Sequence, residues 1–432
     1  MKTVNLGLVG FGTVGTGVVK LLKEQAALLE RRVGGRLRLK RIADIDITTP
    51  RGVEVDPKIL TRDAREITDD ESIAIVIELI GGTTAAREIS LAALRNGKHL
   101  VTANKALLAT HGLELFRAAA ERRVDLGFEA SVCGGIPIIR AVREGLVANR
   151  IRSINGIVNG TCNYILTQMT ERGAPFAEVL KEAQAKGYAE ADPSLDIDGI
   201  DAAHKLQILA SIAYGGSVDF DSIHIEGIRE IDPADIQYAK ELGYRVKLLA
   251  IAKEADGQVE VRVHPTLVPE DHLLASVGGV FNAVYIVGDA AGSLMFYGRG
   301  AGQMPTASAV VSDAVEIVQN ILHQRPSRPS HIPEIAGEGL RTRPMDEVRT
   351  RYYLRVMAAD KPGVLSKVSG ILGNHEISIA SVIQKGRHAQ ASVPVVMMTH
   401  EAVEGAMRKA LDEIDSIDVV TGKTVCLRVE ET

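Results

Sequence analysis

Cysteine is scarce in this sequence, and an excess of positive charge and long apolar runs are missing; each lack removes a class of protein. Three cysteines occur in 432 residues, Cys133, Cys162 and Cys426. They are odd in number, widely separated and without metal-ligand spacing, which excludes a disulfide framework and suits the reduced thiols of a cytoplasm. Lysine and arginine total 50 against 55 aspartates and glutamates, a formal net charge of −5. No basic run overrides that balance, so no nucleic-acid partner is expected. No apolar run approaches the roughly 20 residues that span a bilayer, and the chain starts directly with a strand-like run. Neither a signal peptide nor a membrane anchor is expected, and the protein is placed in the cytoplasm. What is present is 46% hydrophobic content, enough for two or three cores of ordinary domain size.

The stretch YAEADPSLDIDGIDAAHKL sets Glu190, Asp192, Asp196, Asp198 and Asp201 within a few turns of Lys205. Five carboxylates this close repel one another at neutral pH, and a fold tolerates them best where cations, Lys205 or a substrate amino group, sit among them. Pro193 and Gly199 bend the chain before a helix that begins near Asp198 or Ile200. Spacing by four then puts Asp201 and Lys205 on one helical face. Read alone, the segment is equally a solvated acidic loop carrying an ordinary surface ion pair.

The amino terminus supplies a second feature. The apolar run Val4 to Val9 leads into Gly10, Phe11, Gly12, Thr13, Val14 and Gly15, then an amphipathic segment from Val18 to Leu29. This is strand, glycine turn and helix: Gly10 permits the turn, Gly12 admits a pyrophosphate, Gly15 allows close packing, and the helix N-terminus offers N–H groups to phosphates. A second strand, Leu37 to Ala43, ends in Asp44, where a ribose-binding acid belongs. Asp44 suits the 2′-hydroxyl of NAD, whereas Arg41 and Arg51 lie close enough in sequence to meet the 2′-phosphate of NADP, so the choice stays open. The run Ile73 to Ile80, interrupted only by Glu78, reads as a buried parallel strand followed by Gly81, Gly82 and Thr83 at its carboxyl end. The strand His99 to Thr102 ends in Asn104 and Lys105 at the same sheet edge. Val124 to Glu129 reads as one more strand, and Glu129 with the irregular loop after it could gather a cation together with backbone carbonyls.

Farther on, strand-like runs Ile151 to Val158, Val246 to Ala252, Val259 to Val268 and Val284 to Val287 alternate with helical segments. The expected organisation is a doubly wound α/β nucleotide domain from residues 1–130 and 299–323 and an inserted α+β substrate domain over 131–298. A linker rich in Pro, Arg, Ser and Gly follows over 324–349, with Pro326, Pro329, Pro333 and Pro344, and a tail covers 350–432. The tail reads as strand Tyr352 to Ala358, helix Val364 to Asn374, strands Ile377 to Gln384 and Ser392 to Met398, helix Ala402 to Ile414 and strand Thr424 to Val429. That order is βαββαβ. His204 is expected to pack, pointing away from Lys205. Cys162 has no histidine partner and is likewise expected to pack; Asp219 and Asp221 read as a solvated turn, and His111 and His264 carry no pattern.

Six motifs in order resemble homoserine dehydrogenase in its single-function form: GFGTVG at 10–15, TANKALLATHG at 102–112, EASVCGGIPII at 129–139, NGTCNYILT at 159–167, AEADPSLDIDGIDAAHKL at 189–206 and GRGAGQMPTASAVVSD at 298–313. DKPGVLSKVSGIL and ISIASVIQ in the tail resemble an ACT domain, a ferredoxin-like module that binds amino acids between paired copies. The resemblance implies an NAD(P)-dependent interconversion of aspartate 4-semialdehyde and homoserine in threonine and methionine biosynthesis. It implies proton exchange with the substrate oxygen by Lys205, assisted by Lys105. Two ammonium groups lower each other's pKa while the acids raise it, and the sequence does not settle the balance. It also implies that Glu190 and Asp196 or Asp201 hold the substrate ammonium near Thr161 and the Gly160 backbone. Gly81, Gly82, Thr83, Gly300, Ala301 and Gly302 would complete the cofactor crevice, with Thr306 in the first turn of the returning helix. Glu129 with the carbonyls of Val132, Gly134 and Ile136 would hold a monovalent cation, usually sodium. A homodimer or homotetramer is implied, with threonine as the tail's effector near Gly363, Asn374 and Ile377 to Ile379. A deaminating amino-acid dehydrogenase and a catalytically silent nucleotide sensor are the rival readings, which ammonia release and absence of turnover respectively would reveal.

Overall fold

Thr3–Val9, Ile73–Glu78 and His99–Thr102 become parallel strands because they are buried along nearly their whole length, whereas Arg36–Ala43 is buried only at its carboxyl end. In the computed structural model, which describes residues 2–326, 339–384 and 392–431, six strands pair in the order Leu60–Thr61, Arg36–Ala43, Thr3–Val9, Ile73–Glu78, His99–Thr102 and Leu126–Gly127. Every pairing is parallel. Strand order reverses between Thr3–Val9 and Ile73–Glu78, and such a switch point opens a crevice at the carboxyl ends of the strands. Leu6, Leu8, Ile42, Ile75, Ile77 and Val101 are fully buried; they pack with Ala307, Val310, Ala314 and Val318 of the long helix Gln303–Leu322. Each Leu, Ile or Val side chain among them stabilises the fold by about 1.5–3 kcal/mol relative to exposure.

Two local expectations change here. The run Val18 to Leu29 is split between helices Thr13–Glu24 and Ala26–Val33, broken at Gln25 with φ −105° and ψ 14°. The apolar spacing is nearly the same on either side of one non-helical residue, so periodicity does not mark the break. Of the expected strand Val124 to Glu129, Leu126–Gly127 pairs as strand, and Glu129–Ser131 forms a 3-10 turn. The Ser131 hydroxyl and N–H both bond to the Phe128 carbonyl, at 2.6 and 3.0 Å, and close that turn.

The chain divides into two compact units. The first comprises Met1–Gly160, Asp201–Asp221 and Phe281–Leu340. Beside the parallel sheet it contains an antiparallel trio, Ile151–Ile157, Phe281–Gly288 and Gly292–Arg299. Compactness thus groups parts of 131–298 with the nucleotide sheet. The loop after Glu129 accounts for this: the Gly135 N–H bonds the Arg299 carbonyl at 3.1 Å, and a Cβ on Gly134 would lie 2.5 Å from the Gly300 carbonyl oxygen.

The second unit comprises Thr161–Ile200, Ser222–Val280 and Arg341–Thr432. Strands Tyr244–Ala255 and Gln258–Pro269 form a long antiparallel pair. Val425–Val429 adds in parallel to Gln258–Pro269, then pairs antiparallel with Arg349–Ala359. Ser392–Thr399 and Ile379–Gln384 follow, so the tail strands lie in the order 4-1-3-2, with helices Val364–Asn374 and Glu404–Ser416 between them in sequence. This is the expected ferredoxin-like module, with a core of Tyr352, Leu354, Val356, Val368, Leu372, Met397, Met407 and Ile414. The second helix starts later than expected, because Ala402–Val403 pairs as a short strand with Arg349 and Thr350. Of the expected linker, residues 327–338, including Pro329 and Pro333, lie outside the described residues. From Arg341 onward it is fixed: Val259 exchanges backbone bonds with Arg341 and Arg343 at 2.9 and 3.0 Å, and the Arg343 guanidinium reaches Glu260 and Asp256, both at 3.1 Å. Arg343, read as linker composition, instead serves as an anchor. Among the described residues, no helix is long and apolar enough to cross a membrane.

Candidate active site

In the first unit the glycine turn forms as the sequence predicts. Gly10 has φ 101°, a conformation open to glycine, and a Cβ on Gly15 would lie 2.1 Å from the Gly10 carbonyl oxygen. A Cβ on Gly12 would meet nothing within 4 Å, so the turn presents open space there. Helix Thr13–Glu24 follows without a side-chain cap, leaving first-turn N–H groups for an anion. Phe11 is buried, Thr13 exposed and Val14 half-buried. Asp44 is held against this turn: its carboxylate accepts the Phe11 N–H at 2.5 Å and the Asp46 N–H at 2.8 Å. Arg51 lies 3.9 Å from Asp44 and 3.2 Å from Asp46. Arg41 bonds the Lys58 carbonyl and pairs with Glu66, so of the two arginines considered for a 2′-phosphate, Arg51 alone is drawn to Asp44.

Gly81 and Gly82 have φ of 73° and 70°, with open space where a side chain would stand; Thr83 precedes helix Thr84–Arg95. A residue not assigned a role from the sequence organises this edge. Glu78, fully buried at the end of its strand, accepts the Thr102 hydroxyl at 2.7 Å and the Ile80 N–H at 2.9 Å. Burial pushes its carboxyl up against those bonds. The signal was a lone acid in a buried strand. Asn104 donates to the Gly82 carbonyl at 2.7 Å and caps helix Lys105–Arg122 by accepting the Leu107 N–H at 3.0 Å. Gly302, with φ 128°, precedes helix Gln303–Leu322, and its carbonyl accepts the Thr306 N–H at 3.1 Å. Gly300 leaves room for Asn282, whose side-chain oxygen would be 1.9 Å from a Cβ there.

Two lysines and an amide gather at Asp201. Its carboxylate lies 2.7 Å from Lys205 Nζ and 3.1 Å from Lys105 Nζ, and it accepts the Asn159 amide at 2.8 Å. Lys205 also donates to the Val158 carbonyl at 2.7 Å, which adjoins Asn159 and Gly160. Side-chain exposure is 7% for Asp201, 12% for Lys205 and 39% for Lys105, so the first two are fixed and the third reaches in from solvent. Burial pushes the Asp201 carboxyl up, but the charges of Lys205 and Lys105 and the bonds from Lys205 and Asn159 outweigh it. The carboxyl is held well below the usual carboxylate range. Asn159, the first residue of the NGTCNYILT motif, had no role of its own assigned from the sequence; it meets Asp201 across 42 residues.

Glu129 is buried and accepts the N–H groups of Ile139 and Arg140 at 2.8 and 2.9 Å. Burial pushes its carboxyl up. Asp313 accepts the Glu129 N–H at 2.8 Å and is pushed up to about 7 by burial. Val132, Gly134 and Ile136 are buried beside it in sequence. A carboxylate oxygen keeps acceptor capacity after one N–H bond, so Glu129 offers a hard oxygen donor of the kind a monovalent cation takes. Among the described residues no group of three or more His, Cys, Asp or Glu could hold a metal ion.

In the second unit the Thr161 hydroxyl is 3.0 Å from an Asp196 carboxylate oxygen and 2.7 Å from the Tyr188 carbonyl. The remaining acids of the segment have separate tasks, so the expected group of five around one cation resolves into parts. Asp192 caps the turn at Ser194, Asp198 pairs with Arg229 at 2.9 Å, and Glu190 is exposed, with its carbonyl accepting from Gln184 at 3.1 Å. Cys162 is buried, its Sγ 3.1 Å from the Asp196 carbonyl. In the first unit His204 packs on Phe220 with ring centroids 4.8 Å apart, and burial lowers its pKa. Both therefore pack as expected, and exposed Asp219 and Asp221 share the expected turn.

Family models agree with this layout. Residues 10–129 match the NAD-binding domain of homoserine dehydrogenase, 137–315 match homoserine dehydrogenase, and 352–419 match the ACT domain. The chain is 45% identical to a homoserine dehydrogenase of Neisseria gonorrhoeae, over 100% of this chain and 99% of that one. It is 40% identical to the Bacillus subtilis enzyme over the same shares. Among solved structures, a homoserine dehydrogenase from Thiobacillus denitrificans superposes with a TM-score of 0.94 at 45% identity, covering 100% of this chain and 99% of that one. A hyperthermophilic archaeal homoserine dehydrogenase in complex with NADPH superposes at 0.63 and 29% identity, covering 76% and 100%.

Proposed function

Because the chain belongs to the homoserine dehydrogenase family of NAD(P)-dependent oxidoreductases, we propose that it interconverts L-aspartate 4-semialdehyde and L-homoserine through the lysine pair at Asp201. The observation that carries this reading is the buried Asp201 carboxylate shared by Lys205 and Lys105. A nicotinamide cofactor, held by the glycine turn, would supply the hydride-transfer chemistry when bound. Lys205, held by Asp201 and Val158, gives a proton to the substrate oxygen during reduction and accepts it during oxidation. Lys105 stabilises the oxygen as its charge changes, and Asn159 keeps Asp201 from swinging toward either lysine. Thr161, Asp196 and Glu190, with the Gly160 backbone, are assigned to the substrate ammonium.

The glycine turn from Gly10 to Gly15, with Gly81, Gly82, Thr83, Asn104 and Gly302, is assigned to the cofactor. Asp44 would take the ribose and Arg51 a 2′-phosphate, so the chain accepts NADP as well as NAD. Glu129 with the carbonyls of Val132, Gly134 and Ile136 is assigned a structural sodium ion. Threonine is the proposed effector of the tail near Gly363, Asn374 and Ile377 to Ile379, acting as feedback inhibitor in threonine and methionine biosynthesis. A cytoplasmic homodimer or homotetramer completes the proposal. The test follows reduced-cofactor absorbance with L-homoserine, NAD or NADP, and added threonine. Reduction without ammonia release, slowed by threonine, is expected; ammonia release or a silent enzyme that still binds cofactor overturns the reading.

A further inference from the structure

One buried guanidinium in the second unit ties the tail to the acidic segment. Arg428 lies on Val425–Val429, where it stands opposite Thr266 of Gln258–Pro269. Its side chain is 6% exposed and holds two carboxylates. Glu226 is met at 2.8 and 2.9 Å, and Glu404 at 2.9 and 2.5 Å. Glu404 opens helix Glu404–Ser416 and also accepts the Tyr352 hydroxyl at 2.8 Å. Arg428 and Glu404 are buried while Glu226 stays 40% exposed; burying such a pair gains little stability over apolar packing, whereas bidentate bonds on both sides of a planar guanidinium fix geometry closely.

From Glu226 the chain runs directly onto the acidic segment. The Glu226 N–H bonds the Val263 carbonyl at 2.7 Å and the Ile228 N–H bonds the Ile197 carbonyl at 2.8 Å. Between them Gly227 approaches so closely that a Cβ would lie 2.2 Å from the Ile197 carbonyl oxygen and 2.6 Å from Asp198 Cα. Ile197 ends the short helix Ser194–Ile197, which carries Asp196 and through it the contact to Thr161. The contact leaves no slack, so a displacement of Glu226 is passed to the backbone beside Asp196.

We propose that Arg428 and Glu226 are positioning residues for the substrate: the last strand of the tail sets where Asp196 and Thr161 stand. This rests on the assignment of Asp196 and Thr161 to the substrate ammonium. The test measures steady-state kinetics of Glu226→Gln, which keeps size and loses charge, and of Arg428→Lys, which keeps charge and loses the double bidentate grip. Asp196→Asn serves as the reference. The expected result is a KM for homoserine raised about ten- to hundredfold in each, with kcat and the KM for cofactor close to wild type. If one variant does not fold, the other gives the same reading. An unchanged KM for homoserine in Glu226→Gln and Arg428→Lys, with a raised one in Asp196→Asn, overturns the clamp. A rise shared equally by the cofactor marks a general structural role and overturns it too. An unchanged KM in Asp196→Asn shows instead that the assignment of the segment to substrate has failed, and the clamp falls with it.

Discussion

Asp201 is the residue on which the two lysines depend, and its ionisation has a measurable signature. Its carboxyl is held below the ordinary range in the folded chain, so its contribution to stability is present in full above the ordinary carboxylate pKa. It fades as pH falls through the folded value. Asp201→Asn therefore costs most at neutral pH, about 3–5 kcal/mol for a broken buried pair, chiefly with Lys205 because Lys105 is partly solvated. Urea unfolding should show the gap to wild type narrowing as the pH drops below about 4; a gap that widens in acid contradicts the assignment. The spacing of Asp201 and Lys205 made their pairing legible in the sequence, because it is a local helical relation. Lys105 was legible through family motifs, and the Asn159 bond was not legible, since a contact across 42 residues leaves no periodic trace.

The elements around the crevice were legible where local rules decide them: the glycine turn, the buried strands and the capped helices all form. They were not legible where one residue's bond ends an element. Ser131 closes a turn that shortens the expected strand ending at Glu129, and Gln25 divides a helix without disturbing its apolar spacing. The turn from Asp44 to Arg51 carries a prediction at this scale. Arg51 is bonded to Asp46 and near Asp44, and a charge-assisted bond to phosphate is worth about 1.5–3 kcal/mol. Arg51→Ala should therefore weaken NADP(H) binding about tenfold or more while NAD(H) binding changes little, as measured by fluorescence titration. Equal losses for both cofactors would remove Arg51 from 2′-phosphate recognition.

For the whole molecule, tail and body are less separable than the order of motifs suggests. The proline-rich stretch reads as a boundary in composition, and a parallel pairing between Gln258–Pro269 and Val425–Val429 cannot be read from either strand alone. Nor can the ionic contacts of Arg262 with Glu430 or of Arg355 and Tyr353 with Asp235. A chain ended after Leu340 would expose a strand edge and leave Arg262 and Asp235 without these partners and Glu226 without Arg428. We expect destabilisation by several kcal/mol, seen as a lower Tm and a tendency to aggregate; an unchanged Tm would show that the tail is an independent appendage.

Lys205, fixed by Asp201, is the group proposed to exchange the proton with the substrate oxygen. The most direct test is the kcat for homoserine oxidation by Lys205→Ala, with cofactor affinity measured on the same protein. A loss of about 10²- to 10⁴-fold with cofactor binding unchanged is the predicted result. A folded Lys205→Ala enzyme that binds cofactor and turns over within about threefold of wild type would contradict it.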